Sequence, residues 1–150
     1  MGNLLRRYWH PVATLQDLER EHVLPLRRLG EDLVLFKTRK GDMGLIQQRC
    51  AHRAISLAYG IPTEDGLRCA YHGWVYSPEG KCLEQPFEEM EHQNANFKDK
   101  ITVINYPVEE LGGVEGVVAP RRERRPQLLA VHAEEVGAGI AGRRPRGAVH

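Results

Sequence analysis

The chain has 150 residues, 41% hydrophobic and 27% charged, with a formal net charge of +1. That length supplies one ordinary hydrophobic core, and that balance belongs to a globular protein in water. Consecutive apolar residues such as Leu33-Val34-Leu35-Phe36 fall far short of the roughly 20 that a membrane span needs, and the first ten residues lack the apolar stretch of a secretory signal. The expectation is a cytoplasmic protein with no membrane partner.

The net charge conceals a division. Residues 1–118 carry 14 basic and 17 acidic groups, whereas 119–150 carry seven arginines, three glutamates, no lysine and no aromatic residue. Such a tail has few large side chains to bury against its ordering entropy. Composition therefore predicts a folded domain over 1–118 and a disordered tail over 119–150.

In chain order, residues 14–19 offer a turn or two of helix. Residues 33–38 read as a strand, 39–44 as a glycine-bearing loop and 45–49 as the returning strand of a hairpin. A turn at 63–66 enters a strand at 67–69. Residues 74–76 alternate into a turn at 77–80, where Pro78 presets the backbone. The β-branched, alternating run 101–106 predicts a late strand. No repeat is present. The expected fold is mostly β, an antiparallel sandwich displaying two metal-binding hairpin loops.

Three cysteines do not make a disulfide framework. Cys82 has no ligand-spaced neighbour and reads as a small core residue. Cys50-Ala51-His52 and Cys69-Ala70-Tyr71-His72 each place a thiol and an imidazole within one turn. The intervening residues 53–68 suffice for one strand–turn–strand excursion that sets the two loops side by side. Two thiolates on one iron and two imidazoles on the other are the ligands of a Rieske 2Fe–2S centre. Neutral nitrogen in place of anionic sulfur makes an added electron less costly, which raises the potential above that of an all-cysteine cluster. Two Cys and two His also make a structural zinc set, although zinc modules usually pair Cys-x-x-Cys with histidines farther on. A zinc-stabilised interaction module, or a metal-free core cluster, stands as the alternative.

Cys50-Ala51-His52-Arg53, Gly60, Cys69-Ala70-Tyr71-His72-Gly73-Trp74 and Tyr76 resemble the Rieske domain at the N-terminus of ring-hydroxylating oxygenases. Arg7-Tyr8-Trp9-His10-Pro11-Val12 and Tyr106-Pro107-Val108-Glu109-Glu110-Leu111-Gly112-Gly113 resemble the phthalate dioxygenase type, so the likeness covers roughly residues 4–113. The resemblance implies that Cys50 and Cys69 bind a buried iron and that His52 and His72 bind an outer one. It further implies that Gly73 permits a tight turn, that Trp74 and Tyr71 shield the sulfides, and that Gln85-Pro86-Phe87 forms a third, covering loop.

The implied function is electron transfer, from a flavin/iron–sulfur reductase or a ferredoxin to a mononuclear iron domain. A free-standing Rieske ferredoxin is the alternative. In such oxygenases two histidines and a carboxylate hold the mononuclear Fe(II). After Gly113 the only close pair of that kind is His132-Ala133-Glu134, with nothing apolar around it, so that iron is expected only in a domain missing from this chain. Oligomers are likewise a property of the full-length proteins. The abrupt change of composition, with 114–119 in place of an aromatic strand, suggests a truncated subunit whose tail is read in a shifted frame. Arg121-Arg122-Glu123-Arg124-Arg125 lacks interleaved aromatics, so no nucleic-acid partner is expected.

Respiratory Rieske proteins carry an extra cysteine in each metal loop. Here Arg53-Ala54-Ile55 and Tyr71 preclude that bridge, and Ala54 stands where glycine is common, for which a local adjustment is expected. Trp74, not a hydroxyl residue, follows Gly73, so one hydrogen bond that would stabilise the reduced cluster is lacking. The midpoint potential is predicted to lie toward the bottom of the about −150 to +300 mV Rieske range. A redox titration placing it above roughly +150 mV contradicts this reading.

Overall fold

The computed structural model describes residues 8–91 and 97–110, together with the backbone of Val117–Ala119. Residues 120–150, most of the expected tail, lie outside the described residues, as do Arg7 and Leu111-Gly112-Gly113. In chain order the elements are β1 (His10–Ala13), α1 (Leu15–Glu21), β2 (Val23–Arg28), β3 (Glu31–Lys37), β4 (Met43–Gln47), β5 (Ile61–Pro62) and β6 (Leu67–Arg68). There follow β7 (Val75–Tyr76), β8 (Cys82–Glu84), α2 (Pro86–Glu91), β9 (Asn105–Tyr106), β10 (Glu109–Glu110) and β11 (Val117–Ala119). Pairing is antiparallel throughout, in sheets ordered β2-β3-β4-β9, β5-β6-β7-β8 and β1-β11-β10.

The β2-β3-β4-β9 sheet lies between two hydrophobic cores. On β3, Val34 and Phe36 enter one core with Ile46, Cys50, Leu57, Leu67, Cys69, Trp74, Tyr76, Cys82 and Val103. Leu33 and Leu35 enter the other, with Val12, Leu18, Leu45 and Tyr106. An unbroken apolar run where a half-exposed strand would alternate is the mark of burial on both faces. At about 1.5–3 kcal/mol for each fully buried large side chain, these four residues are a principal reason the sheet holds its place.

The first turn of helix is anchored locally. The Thr14 hydroxyl accepts from the Asp17 N–H at 3.1 Å, an N-cap contribution of about 1 kcal/mol, and buried Leu18 fixes the helix on the second core. Sequence reading missed β2, whose Pro25 cannot donate to a sheet ladder. β2 is accordingly an edge strand.

The run 101–106 is not one strand but a stitch between two sheets. Cys82 and Val103 backbone N–H groups donate to the carbonyls of Ile101 and Gly80, which ties 101–103 to the β8 side. Asn105 and Tyr106 then pair with β4. Val117–Ala119, the end of the run that stands in place of an aromatic strand, pairs through its backbone with both β1 and β10.

The two loops that carry Cys50 with His52 and Cys69 with His72 share one backbone plan. Cys50 N–H donates to Ile55 O, and Ala54 N–H donates back to Cys50 O, both at 2.9 Å. In the second loop Cys69 N–H donates to Trp74 O at 2.8 Å and Gly73 N–H to Cys69 O at 3.1 Å. The residue that closes each turn has positive φ: 54° at Ala54 and 76° at Gly73. Even the braces match, because Arg49 donates to Ala54 O at 3.1 Å and Arg68 to Gly73 O at 3.3 Å. Left-handed backbone is open to Gly73 without penalty, whereas Ala54 bears a cost of about 1–2 kcal/mol. Ala54→Gly should therefore raise the unfolding free energy by about 0.5–1 kcal/mol, after the entropy cost of glycine in the unfolded chain. Chemical denaturation checks this, and a loss of stability contradicts it.

Candidate metal centre

Cys50 and Cys69 begin the two matched turns and are almost wholly buried, 4% and 3% exposed. Their side chains face one another closely enough to interact. Burial, the larger influence, pushes the Cys50 thiol up, while a hydrogen bond with Tyr76 pulls it down. The Tyr76 oxygen lies 3.2 Å from Cys50 Sγ and accepts from the Ala51 N–H at 3.1 Å. A thiolate has no proton to give, so the phenol donates to sulfur whenever Cys50 is a ligand. Tyr76 comes from β7, so this contact joins the first loop to the strand that leaves the second.

His52 and His72 lie farther out, each partly exposed, with ring centroids 4.6 Å apart. Burial first, and then His72, hold the His52 imidazole below its ordinary pKa, toward the neutral form that binds metal. His52 Nδ1 is buried and makes no hydrogen bond. An unpartnered buried nitrogen is costly, and a metal bond there would satisfy it. Among the described residues no three His, Cys, Asp or Glu side chains converge on a single-ion site. Two buried thiols, two imidazoles 4.6 Å apart on their outer side and an unpartnered His52 Nδ1 make a donor set of the kind that a Rieske cluster takes.

The surroundings of the imidazoles depart from expectation at one residue. Trp74 is buried and stacks on His52, with centroids 4.7 Å apart and planes 5° from parallel. Tyr71 is exposed and packs against His72 at 3.9 Å, so it is neither a core aromatic nor part of a dry cover. Two preceding loop residues and a chain turning at Gly73 carry its ring outward. Gln85-Pro86-Phe87 does lie against the second loop: Gln85 is buried, Pro86 approaches Gly73, and the Phe87 ring stands 6.5 Å from His72. Cys82 is a core residue whose thiol burial pushes up to about 11. No disulfide joins the described cysteines.

Comparison with known proteins agrees with this geometry. Residues 8–107 match the family model described as Rieske [2Fe-2S] domain. The chain belongs to the Rieske [2Fe-2S] domain family. Its cofactor class is accordingly a Rieske-type 2Fe–2S cluster. The chain is 46% identical over 114 residues to the 5,5'-dehydrodivanillate O-demethylase oxygenase subunit of Sphingobium sp. (strain NBRC 103272 / SYK-6), covering 76% of this chain and 27% of that one. It is 36% identical to the phthalate 4,5-dioxygenase oxygenase subunit of Pseudomonas putida, covering 75% and 26%. The solved structure of NdmA from Pseudomonas putida CBB5 superposes with a TM-score of 0.68 at 31% identity, covering 80% of this chain and 36% of that one. The chain thus spans roughly a quarter to a third of the length of these three proteins, and the match falls on their Rieske region.

Sequence reading overlooked what the Tyr76 hydroxyl does, although the alternation of 74–76 already pointed Tyr76 to the side opposite Val75. A donor to a ligand sulfur favours the more negative, reduced state of the Rieske domain. Tyr76→Phe should lower the midpoint potential by roughly 30–60 mV, about 1 kcal/mol for one electron. A titration showing no change, or a rise, contradicts the role given to the hydroxyl.

Proposed function

We propose that Cys50 and Cys69 ligate the inner iron, and His52 and His72 the outer iron, of the cluster in a chain that serves one-electron transfer. The observation that carries this reading is the sorting of the four side chains by depth, with thiols buried and imidazoles reaching toward solvent. When bound, such a cluster takes up and releases one electron per cycle. The chain's own residues do the rest. The two thiols anchor the cofactor to the core, and Tyr76 steadies the charge on Cys50. Trp74 and Tyr71 flank the imidazoles, leaving the histidine edge as the side toward a redox partner.

We further propose that the chain acts as the electron-transfer part of a ring-hydroxylating oxygenase. It would receive electrons from a flavin/iron–sulfur reductase or a ferredoxin and pass them to mononuclear Fe(II) in a catalytic domain. The oxygenase names of its relatives support this, and so does the opening at Tyr8-Trp9-His10-Pro11-Val12. Among the described residues no helix is long and apolar enough to cross a membrane. A cytoplasmic setting is the reading that three unbridged cysteines favour.

Purified protein should contain about two irons and two acid-labile sulfides per chain and accept one electron on reduction. Cys50→Ser and Cys69→Ser should lose the cluster. A chain carrying zinc and no sulfide, or a Cys69→Ser protein with its iron and sulfide intact, contradicts the ligand assignment.

A further inference from the structure

Three groups form a short relay on the outer side of the site. The Trp74 indole N–H donates to Glu88 Oε2 at 3.1 Å. The other oxygen, Oε1, stands 3.9 Å from His52 Nε2. Between them the indole lies flat on the His52 ring. Glu88 reaches this place from α2, the short helix that begins at Pro86, inside the covering segment. Its side chain is 32% exposed and that of His52 24%, so water screens their interaction only in part. The neighbouring carboxylate on the same helix, Glu89, is already taken by Lys98 at 2.9 Å.

Resting on the ligand assignment above, we propose that Glu88 is a positioning residue for His52. It fixes the plane of the imidazole by holding the indole stacked on it, and its charge lowers the potential of the outer iron. The two roles separate chemically. A hydrogen-bond acceptor at this position suffices to hold the indole. Only a negative charge opposes the arrival of an electron on the side where the neutral ligands sit. The charge therefore acts against Tyr76, whose hydroxyl favours the reduced state from the inner side.

The test uses the full chain with its cluster assembled, comparing the wild type with Glu88→Gln and Glu88→Ala by redox titration, EPR of the reduced state, and iron and sulfide content. Glu88→Gln keeps an oxygen for the indole and loses the charge. It should hold the cluster as fully as the wild type, keep the same g-values and titrate at a higher potential. Glu88→Ala should titrate higher and also shift the g-values, because the indole is released and the imidazole plane turns. Should Glu88→Ala fail to fold, Trp74→Phe carries that arm, since it keeps a ring but has no N–H, and the same shift is expected. A Glu88→Gln protein with an unchanged or lower potential, or without its cluster, overturns the proposal. So does a Glu88→Ala protein, or a Trp74→Phe protein in its place, that keeps wild-type g-values. A wild-type chain that assembles no iron–sulfur cluster instead sinks the ligand assignment, before Glu88 comes into question.

Discussion

The backbone turn that closes at Cys50, and again at Cys69, is the constraint on which the site depends. Each turn spends the cysteine's own N–H and C=O on residues four and five positions later. The cysteine is thereby locked at the base of the loop, and the imidazole two or three residues on is carried outward. The same local plan, used twice and placed side by side, turns both thiols inward and both imidazoles outward, and tertiary contacts such as that of Tyr76 with Cys50 then hold them there. The proposed mixed ligation follows from that sorting. The Cys50 sulfur lies where a phenol donor offsets part of the cost that burial puts on its charge, and the imidazoles lie where water and a partner can approach.

Support for the turns comes from the sheets. Tyr76 leaves the second loop on β7 and reaches across to Cys50 and Ala51 of the first, so the two loops are tied together. Gly66 allows this strand to come close, since a Cβ there would lie 2.2 Å from the Tyr76 carbonyl oxygen. Beneath both loops, Val34, Phe36 and Ile46 form a floor on the face of the central sheet turned toward the site. The stitch at 101–106 then ties that sheet to the strands carrying the second loop. Ligands held by packed side chains and closed hydrogen bonds are preorganised for a cofactor.

Much of this was legible in the sequence because it rests on short-range chemistry. The spacing of Cys50, His52, Cys69 and His72 pointed to two paired loops, and the turn at 77–80 and the hairpin of 33–49 followed from local residue preferences. What escaped depended on tertiary partners. Leu33-Val34-Leu35-Phe36 announced a strand, but not that its two faces fill different cores. The β-branched run 101–106 had the right propensity for one strand, yet its hydrogen-bonding edges met two different sheets. Ala54 looked like a minor departure from a glycine, and its cost shows only once its φ of 54° is known. Glu88 carried no signal at all, being one acid in an acidic stretch until the fold brings it to Trp74 and His52.

The central claim is that nitrogen from two histidines, and from these two, completes the outer side of the site. Pulsed EPR on the reduced protein, grown with 15N-labelled histidine, reads that directly. Two strongly coupled, inequivalent histidine nitrogens are predicted, and His52→Cys or His72→Cys should each remove one of them. A reduced spectrum with no histidine nitrogen coupling, or with both couplings intact in either variant, would contradict the account.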